Sequence, residues 1–131
     1  MVIRVLLLAQ LMGCDTLGMI NIQNKTDSDV GILIGIRKEA AKYSDSIMVE
    51  IKSGETGHLN YGLGMRWTNP VLKSYAENIV DTIHLQVGAQ NYFCSSTYCK
   101  NELFNRKNRK FMNLLEIRLD SVLIQKLFVV K

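Results

Sequence analysis

The sequence predicts an all-β protein built as a small antiparallel β-sandwich with little helix. Short segments rich in β-branched residues recur along the chain, several of them alternate apolar with polar residues, and clusters of Gly, Ser, Asn and Asp separate them. The 131 residues suffice for one domain, and a composition that is 47% hydrophobic and 21% charged is typical of a globular chain. We therefore expect a single domain over residues 19–131.

Four strands are predicted in the first half of this domain. Met19–Asn24 alternates as a half-buried strand does, and Val30–Ile36 is dense enough in β-branched residues to be a central strand. The turn formers Asn24–Asp29 between them predict a hairpin. Ile47–Ile51 is predicted as a third strand, and His58–Leu63, which contains or adjoins glycines at 57, 62 and 64, as a bent or bulged edge strand.

The second half contains the one segment with helical spacing, Val71–Ile79. Ile83–Val87 and Gln90–Ser96 are predicted as partner strands, after which we expect the chain to return as a strand through Tyr98 and Cys99. Asn101–Lys110 is predicted to be a polar, basic loop.

Two segments near the C-terminal end of the sequence complete the predicted strand pattern. Leu114–Leu119 alternates as a strand does, whereas Ser121–Val130 fits either a helix or a strand, and we expect a strand. The polar segment Arg37–Ser44 fits a short helix or a loop that crosses between sheets. Six to eight short strands with turns between them favour an Ig-like or transthyretin-like sandwich.

The first residues, MVIRVLLLAQLMGC, have the pattern of an export signal. Arg4 supplies a basic start, Val5–Met12 a short apolar core, and Gly13 a small residue before Cys14. The apolar run is far shorter than the roughly 20 residues that a membrane-spanning helix needs. Two alternatives stay open: a plain secreted protein, and a globular protein in which Val2–Leu8 is a buried first strand and Cys14 a buried thiol.

Leu11-Met12-Gly13-Cys14 resembles the lipobox of bacterial lipoprotein precursors, although Met12 stands where Ala or Ser is commoner in that family. The resemblance implies that residues 1–13 are a signal peptide removed before Cys14. It also implies that Cys14 then carries acyl chains such as palmitate, and that residues 14–18 form the lipidated cysteine and a short tether. The chain would then be anchored in a membrane of the cell envelope.

Asp15 directly follows the cysteine and is similar to the signal that retains such lipoproteins in the inner membrane. In a Gram-negative cell this resemblance implies that the domain faces the periplasm, with the outer membrane as the alternative location.

The cysteine count agrees with export. In a compartment where disulfides form, three cysteines can make one disulfide and leave one cysteine without a disulfide partner. If lipid consumes Cys14, then Cys94 and Cys99 remain as a pair, and we expect a disulfide between them. Their spacing differs from the two-residue spacing of a thioredoxin-like motif, so we expect this disulfide to be structural.

No catalytic signature accompanies these features. The sequence contains no nucleophile elbow, Walker loop, dinucleotide fingerprint or zinc signature. The two histidines, His58 and His84, are expected at the surface. We therefore expect no enzymatic activity, no catalytic residue, no metal and no cofactor.

Charge gives one further candidate surface. The net charge of +4 falls to +3 when residues 1–13, which include Arg4, are removed, and no basic stretch is interleaved with aromatic residues. We therefore expect no nucleic acid partner. The one basic cluster is expected to contact an anionic surface or to be a solvated loop; it consists of Arg106, Lys107, Arg109 and Lys110.

These observations predict a membrane-anchored envelope lipoprotein that acts as a non-catalytic protein-binding or assembly module, for example in a secretion or envelope complex. In size and anchoring it is similar to the type VI secretion lipoprotein. The alternatives are an inhibitor, immunity or exclusion lipoprotein, in which Ser95–Lys110 blocks an enzyme or receptor, and an envelope hydrolase built on the two histidines. A binding module should expose an apolar patch or a free strand edge.

Overall fold

A computed structural model describes residues 17–39, 46–63 and 66–131, which form two β-sheets enclosing one apolar core. Within these ranges nine strands and three short α-helices are present, so the predicted small β-sandwich is confirmed. The predicted signal peptide, the predicted lipidation site Cys14 and the predicted retention residue Asp15 lie outside the described residues.

The strands divide unequally between the sheets. The four-stranded sheet has the order β4 (Thr56–Leu63), β1 (Leu17–Asn24), β8 (Leu114–Leu119) and β7 (Arg109–Phe111). The five-stranded sheet has the order β3 (Ser46–Ile51), β2 (Val30–Ile36), β5 (Val80–Val87), β6 (Gln90–Cys94) and β9 (Val129–Val130).

One strand pair departs from the antiparallel arrangement. β1 runs parallel to β8 from the pair Met19 and Leu114 to the pair Asn24 and Leu119, and antiparallel to β4. The register of β1 and β4 shifts between Gly18 and Met19, which confirms the predicted bulge at this edge. β1 begins at Leu17, so the last two residues of the predicted tether belong to the sheet.

The hairpin predicted between β1 and β2 is wrong, because the two strands lie in different sheets. The fully buried Asn24 explains the crossover. Its Nδ2 donates hydrogen bonds to the carbonyl of Ser28 at 2.8 Å and to that of Ile51, the last residue of β3, at 2.9 Å. Its Oδ1 accepts from the amide and the hydroxyl of Thr26. These bonds hold the turn between the sheets.

The predicted helix near residues 71–79 is confirmed as α1 (Asn69–Ser74) followed by a π-helical turn (Tyr75–Ile79). Thr68 caps α1, since its hydroxyl accepts a hydrogen bond from the Val71 amide, and Pro70 occupies the first turn, where no amide hydrogen is needed.

Two other helices replace predicted strands or loop. α2 (Thr97–Leu103) occupies the place of the expected return strand and of the start of the expected loop, and α3 (Ser121–Leu127) occupies most of the C-terminal segment. Ser96 and Asp120 cap them by accepting hydrogen bonds from the Cys99 and Leu123 amides. Only the last part of the predicted C-terminal strand is a strand, namely β9.

One end of the core is closed by an aromatic cluster. Trp67 is fully buried, its Nε1 donates to the Met19 carbonyl at 3.0 Å, and its ring meets that of Tyr75 edge-on at a centroid distance of 5.0 Å. Phe104, which follows α2, packs 6.0 Å from Tyr75. The cluster therefore links β1 to the helical segments.

Candidate protein-binding face

The predicted disulfide is present between Cys94, the last residue of β6, and Cys99 in α2. Each cysteine is 1% exposed, and their Cα atoms are 5.7 Å apart. The pair fixes α2 against the five-stranded sheet from inside the core. This burial agrees with a structural role for the disulfide.

The two histidines lie on opposite sides of the molecule. His58 is on the outer side of β4, where its Nδ1 is 2.7 Å from Asn21 Oδ1, whereas the next residue, Leu59, faces the core. His84 is on the outer side of β5, in the other sheet, between the buried Ile83 and Leu85. They therefore do not converge on one site.

The described residues also contain no cluster of side chains that could bind a metal ion. Across residues 17–39, 46–63 and 66–131, no three His, Cys, Asp or Glu side chains are grouped closely enough to hold a metal ion.

The predicted basic cluster lies in a 3-10 helix (Arg106–Asn108) and in β7, and most of it has polar partners. Lys107 Nζ is 3.0 Å from Glu102, and Lys110 Nζ is 3.6 Å from Glu116. Arg109 Nη1 donates to the Trp67 carbonyl at 2.8 Å. Arg106 is exposed beside them. The cluster thus lies on a folded element, not on an open loop.

Lys100 is a buried cation that the sequence did not single out. Its side chain is 3% exposed, and its Nζ donates to the carbonyl of Val80, the first residue of β5, at 3.1 Å. Burial lowers the pKa of Lys100, and the neighbouring Arg37 lowers it further, whereas Asp81 acts in the opposite direction. The lysine joins α2 to β5 below the surface.

The most distinctive surface is the outer face of the five-stranded sheet. The strand registers align Met48 with Leu33, Leu33 with His84, His84 with Phe93 and Phe93 with Val129. We call these five residues the apolar row: Met48, Leu33, His84, Phe93 and Val129. The row crosses every strand of the sheet, and its ends are open to solvent, with Met48 67% and Val129 69% exposed.

The middle of the apolar row is held in place by ring contacts. The His84 imidazole stacks on the Phe93 ring at a centroid distance of 4.5 Å and an interplanar angle of 22°. Lys131 Nζ lies 5.1 Å from the centre of the same ring. The His84 Nε2 atom is buried, and no residue in the described ranges gives it a hydrogen bond.

A polar, acidic border runs along one side of the apolar row. Glu50 and Gln86 face outward on either side of Gly31, which has no side chain to fill the space between them. The result is a shallow cavity of about 470 Å³ at the end of the sheet. Its charged lining residues are Asp29, Glu50, Lys52 and Glu55, so carboxylates outnumber cations.

Sequence reasoning missed this face because the relevant residues are far apart in the chain. One local signal was available: in Ile47–Ile51 the outward position between Ile47 and Val49 carries Met48, an apolar residue where alternation requires a polar one. Leu33 was hidden within a continuous apolar run, and His84 was expected simply to be at the surface. Only the register shows that they are neighbours.

None of the helices in the described ranges is long and apolar enough to cross a lipid bilayer. Comparisons of the chain with protein-family models, with curated protein sequences and with solved structures gave no significant match.

Proposed function

We propose that this chain is a membrane-anchored envelope lipoprotein whose folded domain binds another envelope protein and has no catalytic role. The lipobox-like residues ending in Cys14 support the anchor. The apolar row across the five-stranded sheet supports the binding role, and it is the observation on which that part of the proposal depends.

The dimensions of the apolar row suit the centre of a protein interface. Five adjacent strands place its end residues about 19 Å apart at the usual spacing of about 4.8 Å between strands. Burying a large apolar side chain that is otherwise exposed contributes about 1.5–3 kcal/mol. Interfaces concentrate their binding energy in a few central apolar and aromatic anchors surrounded by a polar border. Phe93 supplies such an aromatic anchor, and the acidic border lies near the Met48 end of the row, where Glu50 is on the same strand as Met48.

The surroundings of the row indicate what kind of partner fits. Separate apolar side chains of the partner would cover Met48 and Phe93, which are three strands apart, and a lysine or arginine near the first would meet the carboxylates of Glu50 and Glu55. The proposed partner is therefore an apolar surface with basic residues at its edge.

The inhibitor or immunity alternative differs in the part of the domain that it uses. In that alternative Ser95–Lys110 would enter or cover an enzyme, yet much of this segment faces inward, with Cys99, Leu103 and Phe104 in the core. Its exposed residues lie at the start of α2, as Tyr98 does, and in the basic cluster, as Arg106 does, and none of them belongs to the apolar row. The two functions thus predict contact at different surfaces.

Photo-crosslinking in the native envelope tests the proposed face. When p-benzoylphenylalanine replaces Met48, we expect an adduct with one protein other than a second copy of this chain. Adding Phe93→Asp should reduce that adduct more than about tenfold, because loss of an interface anchor costs about 2 kcal/mol or more.

The matched control is the same probe in place of Val122, which is 76% exposed on α3 and lies outside the apolar row. No adduct, equal adducts from both positions, or an adduct that survives Phe93→Asp would contradict the proposed binding face. A probe in place of Tyr98 that captures a partner when the one at position 48 does not would favour the inhibitor alternative.

A further inference from the structure

We infer that the tip of the β7–β8 hairpin inserts into the lipid surface in which Cys14 is anchored. The tip is defined as residues Lys110–Asn113. This inference rests on the proposed acylation of Cys14 and adds to it an orientation of the domain: the membrane is contacted by one end of the four-stranded sheet, and the apolar row of the other sheet stays available for the protein partner.

The parallel pairing of β1 with β8 brings the tip beside the start of the domain. Met19 is paired with Leu114, and its amide donates to the Asn113 carbonyl at 2.8 Å. The first residue of β1, Leu17, is three residues after Cys14. Three Cα–Cα steps of about 3.8 Å reach at most about 11 Å. Acyl chains on Cys14 would therefore hold this end of the sheet close to the headgroups.

The tip carries apolar side chains that the fold does not use. Phe111 is 62% exposed and Met112 is 48% exposed, although both are large and apolar. Their backbone is nevertheless fixed, because the Met112 carbonyl accepts a hydrogen bond from the Trp67 amide at 2.6 Å and Arg109 is bonded to the Trp67 carbonyl. Aromatic and apolar side chains of membrane-surface proteins enter the boundary of headgroups and acyl chains to a depth of about 5–10 Å.

Positive charge is concentrated in and just before the tip. Lys110 belongs to the tip, the cations of the 3-10 helix and β7 directly precede it in the chain, and the exposed Arg66 is next to Trp67, whose amide donates to the Met112 carbonyl of the tip. The carboxylates that pair with these cations are Glu102 and Glu116. The five cations are Arg66, Arg106, Lys107, Arg109 and Lys110.

These cations favour an anionic lipid surface over an uncharged one. Each cation near such a surface contributes about 1 kcal/mol. Ion pairs as exposed as those of Lys107 and Lys110 are worth at most about 1 kcal/mol, so they do not prevent this attraction. Apolar side chains at the centre with cations around them thus match an anionic bilayer.

Lipid-depth quenching of tryptophan fluorescence tests the inference. Acylated protein carrying Phe111→Trp, expressed from the full-length sequence, is placed in vesicles of phosphatidylethanolamine and phosphatidylglycerol whose acyl chains are brominated near the headgroup. The unsubstituted protein gives the background from Trp67. After this background is subtracted, we expect the emission of the new tryptophan in Phe111→Trp to shift to shorter wavelength. We also expect it to be quenched at least about twofold more than the new tryptophan in Val122→Trp, because only the tip reaches the acyl chains.

Quenching that is equal for the two variants, or absent from Phe111→Trp, would overturn the inference. Adding Met112→Ser and Lys110→Gln to Phe111→Trp should reduce the quenching, whereas adding Met48→Ser on the other sheet should not. Palmitate labelling of the same preparation separates the two proposals. Labelled protein without quenching overturns only the membrane-facing tip, and unlabelled protein with quenching overturns only the anchor.

Discussion

At the scale of single residues, Asn24 determines how the two sheets are joined. Asn24 is completely buried. Its side-chain Nδ2 donates to the backbone carbonyls of Ser28 and Ile51, and its side-chain Oδ1 accepts hydrogen bonds from the amide and the hydroxyl of Thr26. Its own backbone takes part as well: its amide donates to Glu55, and its carbonyl accepts from Gly54. A side chain that satisfies every polar atom in this way stabilises one path for the chain and excludes the hairpin.

We expect Asn24→Asp to destabilise the domain by about 2–4 kcal/mol, because a carboxylate cannot donate to the Ser28 and Ile51 carbonyls and would place an unpaired charge in the core. Urea unfolding followed by tryptophan fluorescence measures the loss. Asn78→Asp, at an exposed position, is the control and should change the midpoint little. If both variants unfold at the same urea concentration, the buried hydrogen bonds of Asn24 do not have the role assigned to them.

At the scale of elements, the disulfide connects β6 to α2. The loop that it closes is short, with a sequence separation of 5, so constraining the unfolded chain contributes about 2 kcal/mol in the chain-entropy model. α2 also carries Lys100 and Leu103 into the core. Loss of the disulfide should therefore loosen α2 before it loosens the sheets.

We expect dithiothreitol to lower the unfolding free energy of the oxidised protein by about 2 kcal/mol. The double variant Cys94→Ala/Cys99→Ala should have the lower stability from the start and should not respond to the reductant. Urea unfolding with and without reductant measures both effects. An unsubstituted protein that is equally stable under both conditions would contradict the stabilising role.

The elements also show which parts of the secondary structure can be predicted from local sequence patterns. Strands such as β3, β5 and β8 were predicted because alternation or β-branched runs mark them directly. α2 and α3 were missed because seven residues make only about two helical turns, too few for a clear period. Their start signals, Ser96 and Asp120, are residues that are also common in turns. The predicted hairpin between β1 and β2 was wrong for a related reason: turn-forming residues indicate that the chain turns, but not which sheet the following strand joins.

At the scale of the whole molecule, the two candidate surfaces lie on different sheets. The apolar row occupies the outer face of the five-stranded sheet, whereas the exposed Phe111 and Met112 lie at one end of the four-stranded sheet. A domain held at the membrane by the second surface would present the first to a partner. This arrangement could not be predicted from sequence, because it depends on cross-strand register and on the parallel pairing of β1 with β8. The disulfide was predicted because assigning Cys14 to lipid left Cys94 and Cys99 as the two remaining cysteines of the sequence.

The proposed function depends on acylation of Cys14, which would anchor the domain. Its most direct test is incorporation of labelled palmitate into the full-length protein and into Cys14→Ser, with membrane fractionation of both. We expect label and membrane association for the unsubstituted protein and neither for Cys14→Ser, because Cys94 and Cys99 are paired inside the core. Unlabelled, soluble protein of unprocessed mass in both cases would contradict it.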